Sequence, residues 1–226
     1  TDAMIIVKGG LQINGTVENP VIMRPNESTE AKSWTSIYFD SATDTSHLYN
    51  TIISGNVTGN NPIEQPAAIN SLNSNCIFDG LNIYDVEFPI FIEGGSVSLQ
   101  NSKISAYGIC DYINVSKGKA LVSNNYFYGN KSPDTDAIDY DGVIDGIISN
   151  NCIFNFTGFN SDAIDIGEGT TGLEIFGNRI YNSTDKGISV GQKSDVHIYR
   201  NLIVGCDMGV GVKDSSKSKI ENNTFY

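Results

Sequence analysis

Apolar residues recur along this chain at every second position, in short bursts separated by Gly, Asn, Ser and Asp. The bursts read Ile37-Tyr38-Phe39, Ile90-Phe91-Ile92, Ile113-Asn114-Val115, Ile138-Asp139-Tyr140, Ile164-Asp165-Ile166, Ile188-Ser189-Val190 and Val210-Gly211-Val212. A period of two marks a strand with one buried face. No stretch carries a 3.6-residue apolar period with helix caps. The pattern predicts an all-β protein of many short strands.

A second phrase alternates with the first: Asn, any residue, then Ile or Phe, often followed by an aromatic. It starts at Asn50, Asn75, Asn125, Asn151, Asn178, Asn201 and Asn223, and Asn101 fits with a one-residue slip to Ile104. Successive starts lie 22–27 residues apart, and an apolar residue stands three positions before most of them: Leu72, Val122, Ile148, Ile175, Ile198 and Ile220. A repeat of that length, holding two or three strands, suits one coil of a parallel β-helix. Each coil buries its inward side chains only against its neighbours. The expectation is a single solenoid domain over residues 1–226, with roughly eight to nine coils and an insertion near Ala67–Ile69. Equivalent residues then lie about 4.8 Å apart. The Asn column is expected to form a hydrogen-bonded ladder at a turn, where Asn tolerates left-handed φ.

These repeats resemble the right-handed parallel β-helix proteins of the pectate-lyase-like superfamily over nearly the whole chain. The opening Val7-Lys8-Gly9-Gly10-Leu11-Gln12-Ile13-Asn14-Gly15-Thr16, with Asn19-Pro20-Val21-Ile22, looks like a first coil of secreted members. The superfamily includes polysaccharide lyases, glycosidases, epimerases, tail spikes and non-catalytic surface proteins, so the fold alone does not name an activity. The resemblance implies an extracellular or cell-surface location. The Gly-His-Gly of polygalacturonases and the Asp-Pro-His of mannuronan epimerases are both missing; the only histidines are His47 and His197.

Composition changes the picture in two ways. Charged residues are only 18%, while Asn numbers 25 and Gly 23, so neutral polar side chains solubilise the chain and disfavour helix. The net charge of −12 argues against nucleic acid, whose binding rests on Lys and Arg neutralising phosphates. No apolar run approaches the roughly 20 residues of a membrane-spanning helix, and the first residues do not read as a secretion signal. The expected partners are a polysaccharide or glycan and neighbouring domains, with neither nucleic acid nor membrane insertion. The chain stops at Tyr226 inside a repeat phrase, so it is expected to be a piece of a longer secreted or surface protein.

The charge is also localised. Between Ser132 and Glu168 there is no Lys or Arg, but there are Asp134, Asp136, Asp139, Asp141, Asp145, Asp162, Asp165 and Glu168. Aligning the repeats puts Ile138, Ile164, Ile188 and Val210 in one inward column. Two residues upstream come Asp136, Asp162, Lys186 and Met208; one residue downstream, facing out, come Asp139, Asp165, Ser189 and Gly211. Asp141 faces out beside Asp139. Stacked carboxylates repel. Three things could relieve them: a Ca²⁺ ion held by Asp136, Asp139, Asp141, Asp162, Asp165 and Glu168, protonation, or pairing with Lys186.

Three functions follow. The first is an extracellular carbohydrate-interacting module with Ca²⁺ on this acidic face. The second is a polysaccharide lyase in which Ca²⁺ neutralises a uronate, Lys186 is the base, and Arg179, Arg200 and Lys213 bind substrate. The third is a purely structural or adhesive solenoid. Asp139 and Asp165 are also spaced compatibly with a glycosidase acid pair.

Two side features complete the reading. Cys76 and Cys152 are expected in one column, three rungs apart and too distant for a disulfide. Phe78, Tyr128, Phe154, Tyr181 and Tyr226 are expected in one outward aromatic column.

Overall fold

A computed structural model describes residues 3–25, 34–56 and 67–226. Among these, every regular element is a strand, and the strands form three parallel sheets of nine strands each. Neighbours within a sheet are every third strand in sequence, so each coil gives one strand to each sheet. The expected all-β solenoid is present. None of the described residues forms a helix long and apolar enough to cross a membrane.

Three inward columns make the core. In the first sheet Ile37, Ile69, Ile90, Ile113, Ile138, Ile164 and Ile188 stack in register, and all are fully buried. The second sheet contributes Leu48, Phe78, Leu99, Val122, Ile148, Ile175 and Ile198. The third contributes Ile53, Ile83, Ile104, Phe127, Ile153, Ile180 and Ile203. Branched aliphatics dominate because a like side chain sits one strand spacing above and below, where matched volumes fill the interior without voids.

The turn between the second and third sheets carries the asparagine ladder. Asn125, Asn151, Asn178 and Asn201 each accept, at Oδ1, the backbone N–H and the side-chain N–H of the equivalent residue one coil earlier, except that Ser102 donates only its backbone N–H to Asn125. Asn223 closes the series in the same way for Asn201. Each amide also donates to a carbonyl of the coil before: Asn125 to Leu99, Asn151 to Val122, Asn178 to Ile148 and Asn201 to Ile175. An amide side chain, with two donors and an acceptor, suits a buried turn whose backbone groups would otherwise lack partners.

The phase of this turn corrects several sequence expectations. The left-handed residue is the one before the ladder, in a column of Asn50, Gly80, Asn101, Asn124, Asn150, Gly177, Arg200 and Asn222 with φ from 44° to 71°. The ladder position in the early coils is held by Thr51, Leu81 and Ser102, so Asn50 and Asn101 are left-handed turn residues instead. Asn75 is not in this turn at all; it opens the second-sheet strand Asn75–Asp79, opposite Ser96. Cys76 therefore lies in the second sheet and Cys152 in the third, not in one column. All four cysteines are free. Phe78 likewise points into the core and is fully buried, while Tyr128, Phe154 and Tyr181 do form an outward stack with ring centroids 5.8 and 5.5 Å apart. Near Ala67 the coil is regular, with Ile69–Leu72 in register on both sides; an insertion just before it would fall on residues 57–66, outside the described residues.

Candidate functional site

The acidic residues gather on the first sheet, on its strands Ile138–Asp141, Ile164–Gly167 and Lys186–Val190 and the turns that flank them. Register places Asp139 beside Asp165, and Asp165 beside Ser189. Upstream of the strands a second column runs Asp111, Asp136, Asp162, Lys186. Each Asp there accepts the backbone N–H of the next member at Oδ1: Asp136 to Asp111 at 3.1 Å, Asp162 to Asp136 at 2.6 Å and Lys186 to Asp162 at 2.7 Å. This column acts as a structural clip between coils, much as the asparagine ladder does on the opposite turn.

The two columns are joined by Asn114, whose amide donates to Asp139 Oδ2 at 2.6 Å and to Asp111 Oδ2 at 3.3 Å. Burial, then the charges of Asp111, Asp141, Asp165 and Asp136, push Asp139 up to about 10, which favours its protonated form at neutral pH. Burial also raises Asp111 and, together with the Asp111 charge, lifts Asp136 well above the carboxylate range. Asp141 is pushed up to about 6 by burial and by the charges of Glu168, Asp165 and Asp111.

Lys186 ends the clip column. Its ammonium is paired with Asp185 and lies 3.6 Å from Asp162, and the side chain is only 14% exposed. Burial works to lower its pKa, but the hydrogen bond to Asp185 and the charges of Asp162, Asp185 and Asp165 outweigh that and raise it. Burial pushes Asp162 up to about 6 despite the opposing pull of Lys186. The lysine stem crosses the outward face: a methyl group on Gly211 would lie 2.8 Å from Lys186 Cδ.

Beyond the strands the face opens into a groove of about 200 Å³, lined by Asp139, Asp141, Asp165, Gly167, Gln192, Lys213 and Asp214 among others. Gly167 is in register with Asp141. A methyl group there would sit 2.6 Å from both Asp141 Oδ1 and Gln192 Oε1, so only glycine leaves room for both side chains at this point. Glu168 is exposed on the following turn, its backbone N–H donating to Gln192 Oε1 at 2.7 Å.

The structure thus brings Asp136, Asp139, Asp141, Asp162, Asp165, Lys186 and Lys213 to one face. It does not bring Arg179 or Arg200 there. Arg179 is exposed on the third sheet between Cys152 and Leu202, and Arg200 occupies the left-handed turn after the second sheet. Nor are the six proposed Ca²⁺ ligands gathered round one point. Ca²⁺ takes six to eight oxygens, yet among the described residues no three His, Cys, Asp or Glu side chains form such a group. Asp111, Asn114, Asp185, Gln192 and Asp214 were not singled out from sequence. The first two were legible: Asp111-Tyr112-Ile113-Asn114-Val115 is the same phrase as Asp136-Ala137-Ile138-Asp139-Tyr140, one coil earlier.

Comparison with known proteins agrees with this architecture. Residues 67–226 match the family model described as "Right handed beta helix region", and the chain belongs to that family. Among solved structures, the catalytic domain of a GH87 α-1,3-glucanase, an Asp-to-Ala variant in complex with tetrasaccharides, superposes with a TM-score of 0.70 at 13% identity. The match covers 98% of this chain and 52% of that one, so this chain spans about half the length of the glucanase domain. A second Asp-to-Ala variant of a GH87 α-1,3-glucanase catalytic domain gives a TM-score of 0.48 at 13% identity, covering 99% of this chain and 61% of that one. No curated protein matches the sequence.

Proposed function

We propose that this chain is an extracellular carbohydrate-interacting β-helix module whose contact surface is the acidic groove of the first sheet. The observation that carries this reading is the groove itself: Asp139 and Asp165 in register, with Asp141, Gln192, Asp214 and Lys213 around them. Protonated and ionised carboxyls together with an amide offer donors and acceptors side by side, which is what sugar hydroxyls need. The same fold in a glucanase domain solved with tetrasaccharides supports the reading. A glycan array, followed by calorimetry on the hits, tests it. Binding that Asp165→Asn weakens at least tenfold is expected; no binding to any glycan favours the structural solenoid.

One observation favours glycoside hydrolysis as a second reading. Asp139 and Asp165 stand on adjacent rungs, about 4.8 Å apart by strand spacing, close to the separation of a retaining acid pair, about 5–5.5 Å. Asp141, pushed to about 6, falls in the range of a general acid working near neutrality. Release of reducing ends from a binding glycan, abolished by Asp139→Asn, is the expected result. The uronate lyase with Ca²⁺ has less support. Its base, Lys186, is held as an ammonium by Asp185 and Asp162 and must first be freed from that pair.

A further inference from the structure

The outward face of the second sheet holds a groove larger than the acidic one, about 530 Å³ against about 200 Å³. Register explains its shape. Ile77, Ser98, Leu121 and Ile147 stand in one outward column on successive coils, so a serine interrupts an aliphatic row. Ser96, between Asn75 and Lys119 in the next column, is equally short. The two serines form the floor, and Ile77 and Leu121 form the walls. These walls are two strand spacings apart, about 9.6 Å. A ring seated over Ser98 lies about 4.8 Å from each. Carbon atoms touch at about 3.5–4.0 Å, so the slot suits a puckered saturated ring with hydrogens on both faces and holds a flat ring loosely. Polar groups converge on it from the rim. Ser96 Oγ donates to Asn75 Oδ1 at 2.7 Å, and Gln100 Nε2 donates to Ser98 Oγ at 2.9 Å. The Asn75 amide N–H groups and the Ser98 hydroxyl proton are left to donate. Lys119 and Asp145 complete the rim; both are exposed, and neither joins an ion pair among the described residues. One ammonium and one carboxylate cancel, which makes this groove neutral in a chain of net charge −12.

We propose that this slot is a second saccharide site, taking one pyranose unit of a neutral hexose chain. The C–H faces of the sugar meet Ile77 and Leu121, and its ring stands where the column lacks a side chain. Hydroxyls at the ring edge accept hydrogen bonds from Lys119 and the Asn75 amide and donate to Asp145. Apolar walls with a few polar groups that fix orientation, in a groove of several hundred Å³, are the usual make-up of a small-molecule site. A uronate or an amino sugar gains at one end of the neutral rim what it loses at the other, so charge adds nothing to the affinity. The site lies on a different sheet from the acidic groove and goes beyond the reading above, because it needs neither Asp139 nor Asp165.

The test is a methyl NMR titration of the whole chain with neutral glucose tetrasaccharides of α-1,3, β-1,3 and β-1,4 linkage. At least one is expected to shift the Ile77 and Leu121 methyl signals in a saturable way, with an affinity insensitive to salt. Ser98→Leu fills the slot and completes the aliphatic row. It should abolish those shifts while melting no lower than the parent chain, since a branched side chain suits a strand. Leu121→Ser, which removes one wall, and Lys119→Met, which removes one donor, should each weaken binding tenfold or more. Asp165→Asn on the first sheet should leave it unchanged. Failure of all three tetrasaccharides to move these methyls overturns the proposal, as does binding that survives Ser98→Leu. Saccharide binding weakened by Asp165→Asn but not by Ser98→Leu overturns it and leaves the first-sheet reading standing. Tighter binding of an oligogalacturonate or a glucosamine oligomer overturns the neutral ligand class. Equal shifts with benzyl alcohol overturn the proposal too, since any ring would then serve.

Discussion

Asn151 and Asn178 are joined twice: the backbone N–H and the side-chain amide of Asn151 both donate to Asn178 Oδ1, each at 3.0 Å. The Asn178 amide in turn reaches Ile148 O at 3.0 Å and Asn201 Oδ1 at 3.0 Å. One side chain therefore ties its own coil to the coil before and the coil after it. Replacing it with alanine leaves several buried groups unpaired at once. Asn178→Ala is expected to cost roughly 2–4 kcal/mol, read as a lower midpoint in urea denaturation. Asn223→Ala, at a half-buried position, should cost less. Equal costs would mean the ladder is not cooperative.

Glycine substitutions separate close approach from backbone preference. Gly95 has φ +70°, and a methyl group there would stand 2.1 Å from Ser74 O, in the backbone of the previous coil. Gly169 has φ +76° but nothing within 4 Å of such a methyl group. Gly169→Ala should cost about 1–2 kcal/mol, the ordinary penalty of the left-handed region. Gly95→Ala should cost clearly more or prevent folding, because parallel coils cannot part locally without breaking ladder bonds. Thermal melts of the two variants side by side decide the point.

The buried carboxyls make stability depend on pH in an unusual direction. A carboxyl whose pKa is raised by folding binds its proton more tightly when folded. Its contribution is complete below the unfolded value of about 3.9 and is lost as pH rises toward the folded value. For Asp141 and Asp162 that window closes at about 6, and for Asp139 it extends to about 10. The melting temperature should accordingly fall from pH 4.5 to pH 8. Asp139→Asn, which keeps the shape without the charge, should flatten the fall. A chain that is more stable at pH 8 than at pH 4.5 contradicts the protonation of Asp139.

Lys186 is expected to matter more at high pH than at low. Without its ammonium, Asp162 and Asp185 lose their partner, and the Asp162 carboxyl moves up further from about 6. Lys186→Met should destabilise the chain by roughly 1–3 kcal/mol at pH 7.5 and by much less at pH 4.5, where Asp162 is already protonated. Denaturation at the two pH values measures the difference.

How far the sequence could be read depended on how many coils repeated the same signal. The first-sheet phrase, from Ile113-Asn114-Val115 through Val210-Gly211-Val212, placed Asp139 beside Asp165 and Lys186 after Asp162 correctly, because inward isoleucines anchor every rung. The asparagine phrase was less secure, because Asn serves two adjacent positions of one turn. At Asn124-Asn125 and Asn150-Asn151 the first residue is left-handed and the second builds the ladder. Where only one Asn is present, as at Asn50 or Asn75, sequence cannot say which role it plays, or whether it belongs to that turn at all.

What the sequence by itself determined was the period: two residues between inward side chains and 22–27 between coils. That period dictates strands, stacking and the inward columns, because only side chains at like positions can bury one another. The assignment of outward residues to faces came from tertiary structure alone. Arg179, Arg200 and Lys213 occupy neighbouring coils, but the bend at each turn sends them to different sides. Protonation was decided there too. Asp139 keeps its proton because burial and four surrounding carboxyls meet at one place, and Lys186 keeps its charge because two aspartates from different coils reach it. Both depend on distances across coils, and residues 24 or 25 apart in sequence have no fixed distance until the chain has wound.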